Sequence, residues 1–299
     1  MTGHWALYQD TLVPRQDANI DIEDRGYQFG DGVYEVIRVY GGRLFLAEAH
    51  AKRMERSLRE LRITFPDCVD RVLKGAQLLV EAEGLVDGIV YLQITRGAAP
   101  RAHQFPAPEA NPVFTGTASA LSRPFTLIEK GIGVLLLPDI RWLRNDIKSL
   151  NLLGAVLSKQ RAKELGCYEA IFERDGIITE GSSSNIFIVS KGELRTHPAN
   201  NLILNGITRL EIIRLATEAT LSFKEKTFGI DELLAAEEAF ICGTTTEIMP
   251  IRTVTIIDAK NKEQQYPIGS ELPGPITRTL QKGFSRLIEE VTAGAGNKS

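Results

Sequence analysis

The chain has 299 residues, 43% of them hydrophobic, and a formal net charge of −3 at pH 7. This length allows one large domain or two moderate ones, and the weak negative charge argues against nucleic acid or a membrane surface as the partner. We expect a cytoplasmic protein, because the N-terminus lacks the features of a secretion signal, no run approaches the roughly 18 apolar residues of a membrane span, and the three cysteines suit a reducing compartment. The four histidines are too scattered, and the cysteines too sparse, to predict a metal site.

Short strands and two helices are predicted in the first 97 residues. Strand-like stretches cover residues 5–13 and 42–50, and "GVYEVIRVYGG" alternates β-branched and aromatic residues with polar ones, as is typical of a strand. Apolar residues at helical spacing predict helices over 47–61 and 71–85. A further strand is predicted for "GIVYLQITRG".

Residues 98–130 are rich in proline, alanine and serine. The prolines of "APRAHQFPAPEANP" (99–112) predict a loop, and "TASALSRPFTLIEKG" (117–131) predicts the end of a strand followed by a connector. The elements predicted beyond it are a strand (133–142), a helix (152–165), a meander of strands (168–197), a helix (206–219), a strand (237–243) and a helix (275–291). We expect an α/β (α+β) protein rather than a doubly wound Rossmann fold. Its expected parts are a small domain (1–122), a connector (123–130), a larger domain (131–290) and a disordered tail (291–299).

Lys148, in "DIKSLNLLGA", directly precedes a helix-like run. A cation is mildly disfavoured at a helix N-terminus, and Ile147 and Leu150 indicate a partly buried position, where the pKa of a lysine falls. One interpretation is a side chain that reaches water or pairs with Asp146. The other is an amine kept partly neutral as a nucleophile for a carbonyl group.

Three further segments have features of a phosphate-binding site. "NGITRLEII" places Gly206, Ile207 and Thr208 at a helix start, where free N–H groups and the helix dipole attract anions. "CGTTTE" combines a glycine with three hydroxyl groups after a buried strand, and Arg53 on a predicted helix supplies positive charge. Each feature alone also suits an ordinary helix cap or a solvated arginine.

Glu180 stands in "ITEGSSSNIFIV", between two strand-like runs. It is either a turn residue or a carboxylate held against a ring nitrogen, so that the nitrogen stays protonated. A lysine that can attack a carbonyl, a phosphate cup and a partner for a pyridine nitrogen are together what a pyridoxal phosphate enzyme needs.

Longer segments carry a resemblance to the class IV aminotransferases, the fold-type IV pyridoxal phosphate enzymes. They are "DRGYQFGDGVYEV", "YLQITRGAAPRAHQFP", "DIRWLRNDIKSLNLLGAVL", "CYEAI", "TEGSSSN", "THPANNLIL" and "GITR", spread over residues 18–250. "EGSSSNIF" and "IKSLN" mark the superfamily, while "RGAAPRAHQFP" resembles its D-amino acid (D-alanine) aminotransferases. The resemblance implies a homodimer with pyridoxal 5′-phosphate at the domain interface and a cofactor-binding C-terminal domain.

The resemblance also implies a role for individual residues. Lys148 would hold the cofactor covalently and move the proton of the reaction, and Glu180 would partner the ring nitrogen. The other implied cofactor-binding residues are Arg53, Gly243, Thr244, Ile207 and Thr208 around the phosphate, Leu204 on one face of the ring, and Ser182, Ser183 and Ser184 beside it. Gly243 departs from the family, which often has a serine there.

A trap for the substrate carboxylate is implied for Tyr34, Arg101 and His103. Tyr34 shares a face of its predicted strand with Val36 and Arg38. Arg101 and His103 point the same way if their proline-bounded loop is extended, and an arginine can hold a carboxylate through two hydrogen bonds. From the residues alone, a tyrosine packed in a sheet is equally suitable for Tyr34, and a solvated surface loop is favoured for Arg101 and His103.

The function implied by the resemblance is transamination between D-amino acids, such as D-alanine and D-glutamate, and 2-oxo acids, such as 2-oxoglutarate and pyruvate. A branched-chain L-amino acid aminotransferase or an aminodeoxychorismate lyase of the same fold is the nearest alternative, and "RAHQ" argues against both. A second alternative is a non-catalytic cofactor-binding scaffold, which the intact Lys148 and Glu180 argue against.

Overall fold

The computed structural model describes residues 2–258 and 260–293, and the chain divides into two compact units. Unit 1 contains residues up to 122, residues 147–151 and those from 288 onward; unit 2 contains residues 123–146 and 152–287. The segment with Lys148 therefore groups with unit 1, although the sequence placed it in the second domain. Residues 123–130, predicted to be a connector, contain a short helix and belong to unit 2.

Unit 1 is built on an antiparallel sheet of six strands in the order β2-β1-β6-β5-β3-β4. The strands are β1 (Thr2–Tyr8), β2 (Thr11–Pro14), β3 (Gly32–Tyr40), β4 (Arg43–Phe45), β5 (Gly88–Thr95) and β6 (Val113–Ala120). The helices are α1 (Arg25–Phe29), α2 (Ala47–Glu60) and α3 (Cys68–Ala82). The alternation along β3 places Val33, Ile37 and Val39 in one buried cluster with Met54 of α2 and Leu79 of α3.

Two predicted strands of unit 1 are shorter than expected, for the same backbone reason. The strand predicted over 5–13 is divided at Gln9, which has φ 55°, and the one predicted over 42–50 ends before Leu46, which has φ 54°. A positive φ takes a residue out of the extended region, so pairing stops there. Helix α2 begins immediately afterwards, at Ala47.

Unit 2 contains a mixed sheet in the order β12-β11-β10-β13-β14-β7-β8-β9, with β15 paired to β14. The strands are β7 (Ile132–Pro138), β8 (Glu169–Arg174), β9 (Ile177–Gly181), β10 (Asn185–Ser190), β11 (Glu193–Thr196), β12 (Phe223–Glu225), β13 (Glu238–Gly243), β14 (Glu247–Ile257) and β15 (Glu263–Pro267). The helices are α4 (Phe125–Lys130), α5 (Leu153–Glu164), α6 (Ile207–Glu218), α7 (Ile230–Leu234) and α8 (Pro275–Ala293), whose last residues count with unit 1.

The parallel pair of β7 and β8 requires a crossover connection, and this connection contains both Lys148 and α5. Buried aliphatic residues from the central strands, such as Val134, Ile171 and Ile241, form the core of unit 2. The predicted mixed α/β class is thus confirmed.

No helix in the described part of the chain is long and apolar enough to cross a membrane. Of the predicted tail, residues 291–293 complete α8, and residues 294–299 lie outside the described residues.

Candidate active site

Lys148 lies in a short segment whose backbone is hydrogen-bonded to strand β3. The Tyr34 amide donates to the Lys148 carbonyl (3.0 Å), and the Leu150 amide donates to the Gly32 carbonyl (3.1 Å). The Lys148 amide also faces the Ser57 hydroxyl on α2 at 3.4 Å. The position of Lys148 is therefore set by β3 and α2, not by α5, which it precedes in the sequence.

The Lys148 side chain is half-buried, and its Nζ lies 4.3 Å from the centroid of the Tyr34 ring. The Asp146 carboxylate, considered above as its partner, instead accepts hydrogen bonds from Arg144. Tyr34 stacks on Tyr91 with a centroid distance of 5.7 Å. The predicted nucleophile and one predicted trap residue therefore lie together.

Arg53 is fixed by a buried carboxylate on the other face of β3. Glu35, with no exposed surface, accepts from Arg53 Nε (2.7 Å) and Nη2 (2.9 Å), and its Oε2 lies 2.7 Å from His50 Nδ1. Burial pushes the pKa of Glu35 upward, but the charges of Arg53 and His50 hold it at about 2. Glu35 and His50 were not predicted from the sequence, where the signal for Glu35 was an acidic residue on the apolar face of the strand.

Arg101 and His103 meet at one aromatic ring. The Arg101 guanidinium lies 4.5 Å from the centroid of Phe29, and the His103 ring packs edge-on against Phe29 at 5.7 Å. Both residues are exposed, and within the described residues no hydrogen bond joins either of them to Tyr34. The structure thus brings two of the three predicted trap residues together at Phe29, while the ring of the third, Tyr34, contacts Lys148 and Tyr91.

Glu180, on β9 of unit 2, is a buried carboxyl whose protein partners are all donors. Its Oε1 accepts from Arg141 Nη1 (2.6 Å), and its Oε2 accepts from Asn185 Nδ2 (2.9 Å) and the Leu204 amide (3.0 Å). Burial raises the pKa of Glu180 to about 7, although Arg141 opposes the rise. A turn residue at the surface would have neither this burial nor these partners.

Arg141, like Glu35 and His50, was not predicted from the sequence. It joins Glu180 to Asp139, whose Oδ2 accepts from Arg141 Nη2 (2.9 Å), and its guanidinium lies 4.4 Å from the centroid of Phe172. The signal was weak: an arginine near the end of the predicted strand 133–142, in "PDIRW".

The start of α6 and the turn after β13 contain unpaired donors. Gly206 is the N-cap of α6, and no side chain caps the amides of its first turn, which begins with Ile207 and Thr208. The Thr246 hydroxyl is buried and has no hydrogen-bond partner among the described residues. A Cβ at Gly243 would lie 3.1 Å from this hydroxyl. Such a set of free donors fits a phosphate group.

The three serines predicted to line the site turn their hydroxyls toward one buried carboxylate. Ser182, Ser183 and Ser184 all donate to Glu169 on β8, Ser183 at 3.0 Å and Ser184 at 3.3 Å. Lys159 Nζ neutralises this carboxylate at 3.2 Å. Glu169 and Lys159 were also missed, because nothing in "CYEAI" distinguishes a serine anchor from an ordinary strand residue.

The fold and the site define a class of protein with which the comparisons agree. The amino-transferase class IV family model matches residues 32–254, so the chain belongs to the class IV aminotransferases. It is 43% identical to the D-alanine aminotransferase of Staphylococcus epidermidis over 278 residues, 93% of this chain and 95% of the relative. It is also 43% identical to the D-alanine aminotransferase of Bacillus licheniformis over 287 residues, 96% and 98% of the two chains.

Solved structures of similar fold include branched-chain amino acid aminotransferases. The Escherichia coli enzyme superposes with a TM-score of 0.87 at 25% identity and covers 99% of this chain and 98% of its own. The enzyme of Thermobaculum terrenum, solved in its PLP-form, gives a TM-score of 0.81 at 24% identity and covers 97% and 95% of the two chains.

Proposed function

We propose that the chain is a pyridoxal phosphate-dependent aminotransferase acting on D-amino acids and 2-oxo acids. The observation that carries this proposal is the environment of Glu180, a buried carboxyl with a raised pKa whose hydrogen-bond partners in the described part of the chain are all donors. Such a group can share a proton with a ring nitrogen. The D-alanine aminotransferases that resemble the chain over almost its full length support D-amino acids as substrates.

The predicted cofactor-binding residues fit pyridoxal 5′-phosphate. We propose that Lys148 holds the cofactor and Glu180 its ring nitrogen. The phosphate would be held by Arg53, the first-turn amides at Ile207 and Thr208, Thr244 and the Gly243 amide, while Leu204 would contact the ring and Ser183 and Ser184 its edge. When bound, the cofactor supplies a carbonyl for the amino group and a ring that accepts electrons.

Lys148 would act as the acid and base of the proton transfer. Its Nζ would remove the proton from the substrate Cα and return a proton to the cofactor side. The stacked Tyr34 and Tyr91 limit the positions open to this amine. Asn185 and the Leu204 amide would keep Glu180 in place, and Arg141, which opposes the rise of its pKa, would favour the carboxylate form that accepts from a protonated ring nitrogen.

We propose that Tyr34, Arg101 and His103 bind the substrate carboxylate, and that the trap is shared between two subunits. Arg101 and His103 are exposed and contact Phe29, and this exposure leaves them available to a second chain, which supports sharing. Helix α5 also exposes Leu153, Val156 and Leu157, at 77%, 55% and 62% of their surface, which suits a covered interface better than water. A cytoplasmic homodimer is the proposed form of the protein.

A reduction experiment tests the cofactor assignment. The purified protein should be yellow, and treatment with borohydride should attach the cofactor to the peptide that contains Lys148. A Lys148→Ala variant should lose turnover by several orders of magnitude, because the anchor and the proton carrier are removed together. A Lys163→Ala variant, changed at an exposed lysine of α5, is the control. Label on another lysine contradicts the assignment.

A further inference from the structure

One buried arginine holds the backbone of the loop that contains Arg101 and His103. Arg25, at the start of α1, is only 3% exposed. Its Nη1 donates to the carbonyls of Ala102 (2.6 Å) and Gln104 (3.4 Å), and its Nη2 donates to the carbonyl of His103 (3.4 Å). Three consecutive carbonyls of an exposed loop therefore converge on a single guanidinium.

Arg25 is itself oriented by a buried charge network. Its Nε donates to Asp31 Oδ2 at 2.8 Å, and the same carboxylate accepts from Arg96 Nε (2.8 Å) and Nη2 (3.0 Å). Arg96 also donates to the Leu61 and Arg62 carbonyls after α2. Arg25 is thus connected, through Asp31 and Arg96, to the backbone after α2 in unit 1.

The side chains of the loop are fixed at a second point. The Phe29 ring, one turn after Arg25, lies 4.8 Å from the Arg25 guanidinium, 4.5 Å from that of Arg101 and 5.7 Å from the His103 ring. The backbone of the loop is therefore set by Arg25, and the direction of its two functional side chains by Phe29.

We propose that Arg25 is a positioning residue for the substrate-carboxylate loop 101–104, an inference that rests on the proposed function. Arg25 does not touch substrate; it acts by fixing where Arg101 and His103 stand. A guanidinium can serve three carbonyls and one carboxylate together because its five N–H groups point in fixed directions. The single ammonium group of a lysine cannot reproduce that arrangement.

The test compares Arg25→Lys with Arg71→Lys in the holoenzyme. Arg71 makes the same kinds of contact, with two nitrogens on Asp10 (2.9 and 2.8 Å) and a guanidinium 3.8 Å from the Phe65 ring, but it does not touch the loop. Arg25→Lys should raise the KM for D-alanine about 10-fold and change kcat less than about threefold. A merely destabilised protein would show a lower kcat at unchanged KM. Arg71→Lys should match the parent.

Limited trypsin digestion gives a readout that does not depend on activity. Cleavage after Arg101, followed by mass spectrometry, should become about 10-fold faster in Arg25→Lys, because the loop is released, and should be unchanged in Arg71→Lys. If Arg25→Lys does not fold, Asp31→Asn removes the carboxylate that orients Arg25 and should change KM and cleavage in the same directions, about threefold each.

Each outcome decides the inference. An unchanged KM for D-alanine or unchanged cleavage after Arg101 in the folded variant overturns the positioning role. A parent that does not transaminate D-alanine overturns the proposed function instead, and cleavage after Arg101 then still shows whether Arg25 holds the loop.

Discussion

Glu35 and Glu180 are both buried carboxyl groups, yet their surroundings shift their pKa values in opposite directions. Glu35 is paired with both Arg53 and His50, and its pKa falls to about 2. Glu180 shares Arg141 with Asp139, whose negative charge adds to the effect of burial, and its pKa rises to about 7. One carboxyl is thus permanently charged and fixes Arg53, while the other is ready to exchange a proton near neutral pH.

A pH experiment tests the assignment of Glu180. The folded protein holds this proton up to pH 7, whereas the unfolded chain loses it near pH 4.5, so this group lowers stability as pH rises between those values. Glu180→Gln removes that dependence. In cofactor-free protein, the free energy of unfolding of the variant relative to the parent should increase by about 2–3 kcal/mol from pH 5 to pH 8.

Urea unfolding at the two pH values gives the required free energies. Glu218→Gln, at an exposed position of α6, serves as the control and should follow the parent. A Glu180→Gln variant with the pH dependence of the parent would show that Glu180 is charged throughout this range.

At the scale of elements, the start of α6 connects the proposed phosphate site to Glu180. Gly206, its N-cap, lies so close to Asn185 that a Cβ there would be 2.2 Å from the Asn185 Oδ1. Asn185 Nδ2 donates both to Glu180 and to the Leu204 carbonyl. The absence of a side chain at Gly206 therefore leaves room for Asn185 to donate to Glu180.

Gly206→Ala should weaken cofactor binding about fivefold, since displacement of Asn185 removes one hydrogen bond from Glu180. Titration of the stripped protein with pyridoxal 5′-phosphate, followed by absorbance, measures the affinity. Gly133→Ala, where a Cβ would meet only the Thr253 hydroxyl at 3.1 Å, is the control. If Gly206→Ala and the parent bind pyridoxal 5′-phosphate with equal affinity, the start of α6 does not affect cofactor binding through Glu180.

The sequence predicted the elements well where a periodic pattern is repeated, as in β3 and α2, because burial of one face imposes that period. The strand ends at Gln9 and Leu46 were not predicted, since neither residue type indicates a positive φ. In the site, motifs indicated Lys148 and Glu180. The partners Arg141 and Glu169 could not be predicted, because pairing depends on the packing of strands distant in sequence.

At the scale of the whole molecule, the proposed dimer depends on the exposed apolar face of α5. Leu157→Glu places a charge in that face and should shift the protein from the mass of two chains to that of one in analytical ultracentrifugation, with loss of activity. Lys74→Glu places the same charge at an exposed position of α3, away from that face, and should leave the dimer intact. A dimeric and active Leu157→Glu protein would place the interface elsewhere.

The central claim is that this class IV aminotransferase takes its amino group from D-amino acids. The Cα hydrogen can be removed only when it faces the Lys148 amine, so the position of the carboxylate trap determines which enantiomer reacts. The direct measurement is the initial rate of amino transfer to 2-oxoglutarate from D-alanine, L-alanine, L-leucine and L-valine. We predict rapid transfer from D-alanine and slow transfer from the three L-amino acids. Preference for L-leucine or L-valine would contradict the account and support a branched-chain aminotransferase.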